Sequence, residues 1–139
     1  LQRRQRDEPA HDGRAEDGRG WAVLTCGRGA VEIVLNDGRT ENSWSSDPGL
    51  LEPGKVHHVA VVVDGGPRLT LYVVDGRLCD GGERRQFGWG RFSPNLRHVN
   101  GDAVLRIAHG FSGSVRRLRV YGRALRTSEV VANWAAGPA

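Results

Sequence analysis

The apolar positions of this 139-residue chain fall in short β-branched runs separated by Gly, Asp and Pro, not in helical stripes. The densest pair is Lys55-Val56-His57-His58-Val59-Ala60-Val61-Val62-Val63-Asp64 and Leu69-Thr70-Leu71-Tyr72-Val73-Val74-Asp75-Gly76. Asp64-Gly65-Gly66-Pro67 separates the two runs and a second Asp-Gly closes them. Turns with φ > 0 favour such residues, so the pattern predicts a long antiparallel hairpin. Trp21–Thr25 and Val31–Leu35 predict another hairpin across Gly27-Arg28-Gly29. Asn36-Asp37-Gly38 then turns the chain into a weaker strand from Thr40 to Trp44. Ser45 to Gly54 reads as a polar loop, because Pro48 and Pro53 cannot donate to a ladder.

Further along, Val104–Ile107 and Ser114–Tyr121 read as the last strands. Thr127 suits a helix N-cap, Glu129 suits the first turn, and Val130, Val131 and Trp134 form a short apolar face ended by Gly137-Pro138. This predicts a short helix with Trp134 inward. Residues 80–103 read as one long connection carrying Phe87, Trp89 and Phe92; connections of that length are functional or contain short strands. Residues 1–20 have no large apolar side chain after Leu1, so they are expected to be a loop or a disordered end, with order beginning at Trp21. The expected core is Val59, Val61, Leu71, Val73, Ile107, Val115, Leu118 and Val120.

The His57-His58-Val59-Ala60 strand followed by Tyr72-Val73-Val74-Asp75-Gly76 resembles the "WHHVA" and "YVDG" strands of laminin G-like domains in the concanavalin A-like lectin/glucanase superfamily. Phe111-Ser112-Gly113-Ser114-Val115 leading into Leu118-Arg119-Val120-Tyr121-Gly122-Arg123-Ala124-Leu125 resembles the same family's "F-x-G-x-I…V-R-I-Y-x-R-A-L" stretch, which precedes a terminal helix. Val56 stands where the family has Trp, which removes a large side chain expected in the core. The resemblance implies an all-β fold: an antiparallel jelly-roll-like β-sandwich with a short C-terminal α-helix, spanning residues 21–139. Two upstream strands of the family, one of the form "F-T-I-E-x-W", have no counterpart in residues 1–20. The sandwich is therefore expected to be incomplete on its N-terminal side, a fragment that is weakly stable or self-associating through unpaired edges. The first residue, Leu1 in place of Met, points to a piece of a longer product.

Composition narrows the functional classes. The formal charge of +4 comes with nineteen arginines and one lysine, and the arginines are scattered apart from Arg116, Arg117 and Arg119. Nucleic-acid binders show a continuous basic face with stacking aromatics, so a nucleic-acid partner is not expected. No stretch has the length of a membrane span or the pattern of a signal peptide. Cys26 and Cys79 allow one disulfide or two free thiols, and they are too few for a structural zinc site.

The chemistry-bearing candidates are few. His57 and His58 alternate across a strand and cannot grip one ion; one is expected to be buried and hydrogen-bonded, the other nearer solvent. Catalytic members of the superfamily carry an E-x-D-x-x-E carboxylate cluster, whereas Glu32, Glu41, Glu52 and Glu83 each lack an acidic partner at strand spacing. No catalytic residue is expected. Ser45-Ser46-Asp47-Pro48-Gly49 matches only the start of a sialidase "S-x-D-x-G-x-T-W" turn and reads as an ordinary turn. Calcium is the candidate ion, with Asp37, Asp47, Asp75, Asp80 and Asp102 in loops, but no coordinating set can be nominated.

Aromatic residues remain. Trp44, Phe87, Trp89 and Phe92, beside Arg91 and Asn95, either form a sugar platform at the sandwich rim or fold back as a plug over the core. The resemblance implies a non-catalytic carbohydrate-binding or accessory module of a secreted, bacterial multidomain protein, attached to a glycoside hydrolase and acting outside the cell or at its surface. The alternatives are a protein-interaction or adhesion module, calcium-dependent and without a sugar site, and a structural part of a neighbouring enzyme.

Overall fold

A computed structural model describes residues 9–12, 19–101, 105–107 and 111–137. Its strands are β1 (Pro9–Asp12), β2 (Gly20–Cys26), β3 (Ala30–Asn36), β4 (Glu41–Ser45), β5 (Val59–Asp64), β6 (Leu69–Val74), β7 (Arg77–Leu78), β8 (Gly90–Arg91) and β9 (Arg106–Ile107). One helix, α1 (Thr127–Ala136), follows. The first sheet runs β4-β3-β2-β1-β9. In the second, β5 pairs β6, and β6 pairs both β7 and β8. All pairings are antiparallel, and the fold is an all-β sandwich with a short C-terminal helix.

The alternation of each strand assigns its faces. Val31, Ile33 and Leu35 of β3 meet Tyr72 and Val74 of β6 together with Cys79, forming the central core. Trp21 and Val23 from β2 and Val59, Val61 and Val63 from β5 pack around it. The opposite face of β5 and β6 places Val62 and Val73 against Val130 of α1. The opposite face of the first sheet is also buried, at Ala22, Leu24 and Val34. Every residue from Ala30 to Leu35 is buried, Glu32 included, so β3 is a strand covered on both faces.

Tyr72 joins the two sheets. It is fully buried on β6, and its hydroxyl accepts from Ile33 N–H at 2.7 Å while donating to the carbonyl of Trp44. Ile33 and Trp44 are register partners in the β3–β4 ladder, so a side chain from one sheet is inserted into the hydrogen bonding of the other. Burial, above all, pushes the phenol well above its ordinary pKa, so it stays protonated and able to donate.

The hairpin end is closed as tightly. Asp75 (φ 49°) and Gly76 (φ 78°) make the two-residue turn between β6 and β7 that an Asp-Gly pair predicts. Asp75 N–H donates to His58 C=O at 2.8 Å, while its carboxylate accepts from His58 N–H at 2.8 Å and from His57 Nδ1 at 2.6 Å. His57 Nε2 accepts Glu52 N–H at 2.9 Å, which fixes the proton on Nδ1. Burial opposes the Asp75 carboxylate, but the bonds from His57 and His58 outweigh it and hold its pKa below the usual range. Trp134 of α1 lies across Gly76, where any Cβ would collide with the indole.

Several expectations are corrected. The residues 1–20, read as a loop, contain β1, which pairs β2 and β9. Ladder bonds are main-chain bonds, so a short strand forms beside an existing edge without an apolar sequence. Leu71 and Val73 do not share the central core with Val59 and Val61. The Gly65–Arg68 turn sets Val59 opposite Val74 and Val61 opposite Tyr72, so the inward β6 residues are one position away. Residues 114–121 form no strand: Val115, Leu118 and Val120 are exposed, as is Ile107 (51%). On α1 the fully buried residue is Val130, while Trp134 is 44% exposed, and the helix starts after Arg126 with Glu129 accepting from Arg126 N–H. Val56, expected to mark a lost core position, is 67% exposed. Val104 lies outside the described residues.

Two substitutions test this core. Tyr72→Phe should cost about 1–3 kcal/mol in urea unfolding, because it strands a buried donor and acceptor; a loss of a few tenths would remove the hydroxyl from the account. Val74→Asp should unfold the domain by burying an unpaired charge, whereas Val120→Asp should leave the melting temperature unchanged.

Candidate functional site

The segment after β7 carries Phe87-Gly88-Trp89-Gly90-Arg91-Phe92. Its extended course puts Gly88 and Gly90 inward and Phe87, Trp89 and Arg91 outward. Gly88 is buried against the Cys79–Asp80 main chain, and Gly90 is buried beneath the Trp44 ring; a Cβ at either position would collide. This is why glycine recurs at every second residue. On the outward side Phe87 and Trp89 stack with centroids 4.8 Å apart and an interplanar angle of 23°, and Arg91 stands 6.0 Å from the Trp89 ring. Phe87 is 46% exposed. Phe92 turns inward and packs on the central core.

Trp44, on edge strand β4, holds this loop. Its indole N–H donates to Gly88 C=O at 3.0 Å, and the Arg85 guanidinium lies 4.3 Å over its ring. Arg85 Nη2 also donates to Ser45 C=O at 2.9 Å and approaches Asp47 Oδ1 at 3.3 Å. Asp47 is buried and accepts from Asp80 N–H at 3.1 Å and from Gly81 N–H at 3.1 Å. Ser46 Oγ accepts from Val31 N–H at 2.9 Å. The Ser46-Asp47-Pro48-Gly49 turn is thus the foundation on which the aromatic loop rests.

The far end of the loop is pinned by three further bonds. Phe92 N–H donates to Arg68 C=O at 3.0 Å, Ser93 N–H donates to Asn42 Oδ1, and Arg97 N–H donates to Asp37 Oδ2 at 2.7 Å. Asp37 Oδ1 accepts from Thr40 and Arg39 N–H at 2.6 and 2.8 Å. These backbone donors, Thr40 first, lower the Asp37 pKa to about 2. A depression beside the loop, lined by Asn42, Ser43, Trp44, Thr70, Arg91 and Phe92 among others, holds about 10 Å³, room for a single water. A larger ligand does not fit this depression.

The aromatic residues singled out in the sequence therefore divide. Trp44 and Phe92 are the plug; Phe87, Trp89 and Arg91 are the outer surface. Asn95 is exposed in the next turn, its N–H donating to Ser93 Oγ at 3.1 Å. Sequence reasoning missed Arg85, Asp47 and Asn42 as supports of this loop. The x-Gly-x-Gly repeat was the signal for close packing, but not for what packs there.

The other candidates sit elsewhere. His57 is bound to Asp75 as described; one of the two histidines was expected nearer solvent, but both are half-buried, and His58 Nδ1 is buried without a partner among the described residues. Asp37, Asp47, Asp75 and Asp80 accept main-chain N–H bonds, Asp80 from Gly82 at 2.9 Å. Among the described residues no three His, Cys, Asp or Glu side chains gather as an ion site, and Asp102 lies outside them. Cys26 donates to Glu32 Oε2 at 3.7 Å on the outer face of the first sheet, whereas Cys79 lies in the central core, where burial raises its pKa. The two are not joined by a disulfide, and the sheet separates them. No helix among the described residues is long and apolar enough to cross a membrane.

Comparison with known proteins follows the fold. The laminin G-like family model of the concanavalin A-like lectin/glucanases superfamily matches residues 2–131. Among solved structures, the Ruminococcus gnavus IT-sialidase CBM40 bound to α2,3-sialyllactose superposes with a TM-score of 0.67 at 16% identity, covering 90% of this chain and 72% of that one. The same module without that ligand gives a TM-score of 0.65 at 15% identity over 90% and 72%, and bound to α2,6-sialyllactose 0.63 at 16% over 89% and 72%. At such identities the likeness is one of fold. No curated protein matches in sequence. The family match begins at residue 2, so it extends upstream of Trp21, where the resemblance read from the motifs began.

The anchoring of the loop by Asp37 has a pH signature. A carboxyl whose pKa is lowered by folding stabilises the native state above its unfolded value of about 3.9, and that contribution is lost as pH falls toward 2. Asp37→Asn should therefore lower the melting temperature at pH 7 and flatten its decline between about pH 4 and pH 2, relative to wild type. Parallel pH profiles for the two proteins would remove Asp37 from the acid response.

Proposed function

This chain belongs to the concanavalin A-like lectin/glucanases superfamily, and from that premise we propose that it is a non-catalytic carbohydrate-binding accessory module acting outside the cell. The observation that carries the proposal is the alternation in residues 87–92. Two buried glycines lock the segment to the sandwich and leave a stacked Phe87–Trp89 pair facing outward with Arg91 beside it. Sugar rings present C–H faces to aromatic rings while their hydroxyls and acidic groups bond to polar neighbours. A platform of this kind needs no deep cavity, which agrees with the single-water depression beside it.

The solved modules of similar fold were captured with α2,3- and α2,6-sialyllactose, so sialylated glycans are the first ligands to try. Their carboxylate suits the guanidinium of Arg91. The four glutamates weighed for catalysis give no support to a hydrolytic role. Glu32 is buried beside Cys26, Glu52 pairs with Lys55, Glu41 lies on edge strand β4 opposite Asn36, and Glu83 is exposed in the loop after β7.

Trp89→Ala should weaken glycan binding by about 1–3 kcal/mol while leaving the melting temperature unchanged, measured by calorimetric titration with sialyllactose and a thermal melt. A large drop in melting temperature would make Trp89 part of the plug and withdraw the platform.

A further inference from the structure

Among the described residues, only Arg68 (φ 58°) and Asp75 (φ 49°) adopt a left-handed backbone without being glycine. An L side chain pays for that conformation in free energy, and glycine does not. Asp75 is accounted for, because its carboxylate holds His57 and His58. Arg68 has no such account. It ends the Gly65–Arg68 turn, yet neither glycine of that turn, Gly65 or Gly66, takes the positive φ. Its carbonyl accepts from Phe92 N–H at 3.0 Å, a bond that a residue of any type could make. An arginine thus stands where the backbone favours glycine. Strain of this kind collects at functional sites.

The turn lies beside the aromatic platform. Leu69 is the register partner of Arg91, and the Arg68 carbonyl is bonded to the residue after it, Phe92. Arg68 and Arg91 are therefore rooted one ladder step apart, and both are exposed. The Arg91 guanidinium in turn stands 6.0 Å from the centroid of the Trp89 ring. The acid of the same turn, Asp64, directs Oδ1 to Gly66 N–H at 3.0 Å.

We propose that Arg68 is a specificity-determining residue of this surface: together with Arg91 it grips an anionic group, carboxylate or sulfate ester, on a sugar held against the aromatic pair. The proposal rests on the carbohydrate reading of residues 87–92 and adds the residue that makes the surface select acidic sugars. Guanidinium groups meet such anions through forked N–H donors. A neutral sugar gains only the aromatic contact, whereas an acidic one adds charge-assisted hydrogen bonds from two sides. The left-handed backbone fixes where the Arg68 side chain leaves the turn, and the Phe92 bond fixes the turn to the strand that carries Arg91. Less freedom is then lost when the anion is bound.

Arg68→Gly separates this role from a structural one, because glycine suits the backbone and removes the side chain. Its melting temperature should equal or exceed that of wild type. The whole chain is titrated calorimetrically with α2,3-sialyllactose, with lactose sulfated on its galactose, and with unmodified lactose. Wild type should bind at least one of the acidic sugars about tenfold more tightly than lactose, and that preference should shrink as salt rises. Arg68→Gly should cut the preference to about threefold or less with lactose binding unaffected, and Arg68→Lys should keep part of it. An unchanged preference in Arg68→Gly, or an equal loss of affinity for all three sugars, overturns the proposal and leaves the platform standing. Equal binding of acidic and neutral sugars by wild type does the same. If no sugar binds, or if binding leaves the Trp89 indole resonance unmoved, the carbohydrate reading itself fails and the proposal falls with it.

Discussion

The hydroxyl of Tyr72 is the contact on which the sandwich turns. It is carried by the middle strand of one sheet and inserted between Ile33 N–H and Trp44 C=O of the other. A sandwich held only by apolar contact is free to slide by small amounts, since dispersion is weakly directional. A buried hydroxyl with both its donor and its acceptor satisfied allows one alignment, because any slip strands polar groups away from water. The register of β5 on β6 follows from the same constraint. Only with Val61 opposite Tyr72 does the tyrosine face the core, and the Gly65–Arg68 turn sets that pairing.

The same residue connects the core to the candidate site. Tyr72 fixes the Trp44 carbonyl, and the Trp44 indole in turn holds Gly88 C=O and covers Gly90. Position in the core is thereby passed to the exposed Phe87–Trp89 pair through two hydrogen bonds and one ring contact. Asp47 and Arg85 brace the near end of the loop, and Asp37 and Asn42 the far end. A surface aromatic pair built on so many main-chain anchors has little orientational freedom left to lose when a ligand arrives, which favours binding.

Much of this was legible in the sequence. The β2–β3 and β5–β6 hairpins, the weaker β4 strand and the C-terminal helix follow from β-branched runs and Gly/Asp punctuation, signals that are local. The inward partners on β6 were misjudged by one position because both faces of that strand are apolar and covered, one by the other sheet and one by α1. Periodicity cannot choose between two buried faces. The strand β1 was missed because main-chain pairing leaves no mark in side-chain hydropathy. Residues 115–121 carry a strand pattern without strand pairing, a reminder that pattern reports propensity and a ladder requires a partner. At the site, the aromatic residues and the alternating glycines were visible, but their division into plug and platform depends on Trp44, more than forty residues earlier in the chain.

The central claim is that this plug presents the Phe87–Trp89 surface to a sugar. Two-dimensional amide NMR during titration with α2,3-sialyllactose tests it most directly, because it locates binding without altering the protein. The account predicts shifts in the Trp89 indole and the amides of residues 87–92, with the amides of Ile33 and Tyr72 unmoved. Shifts confined to another face of the sandwich, or none at millimolar sugar, would contradict it.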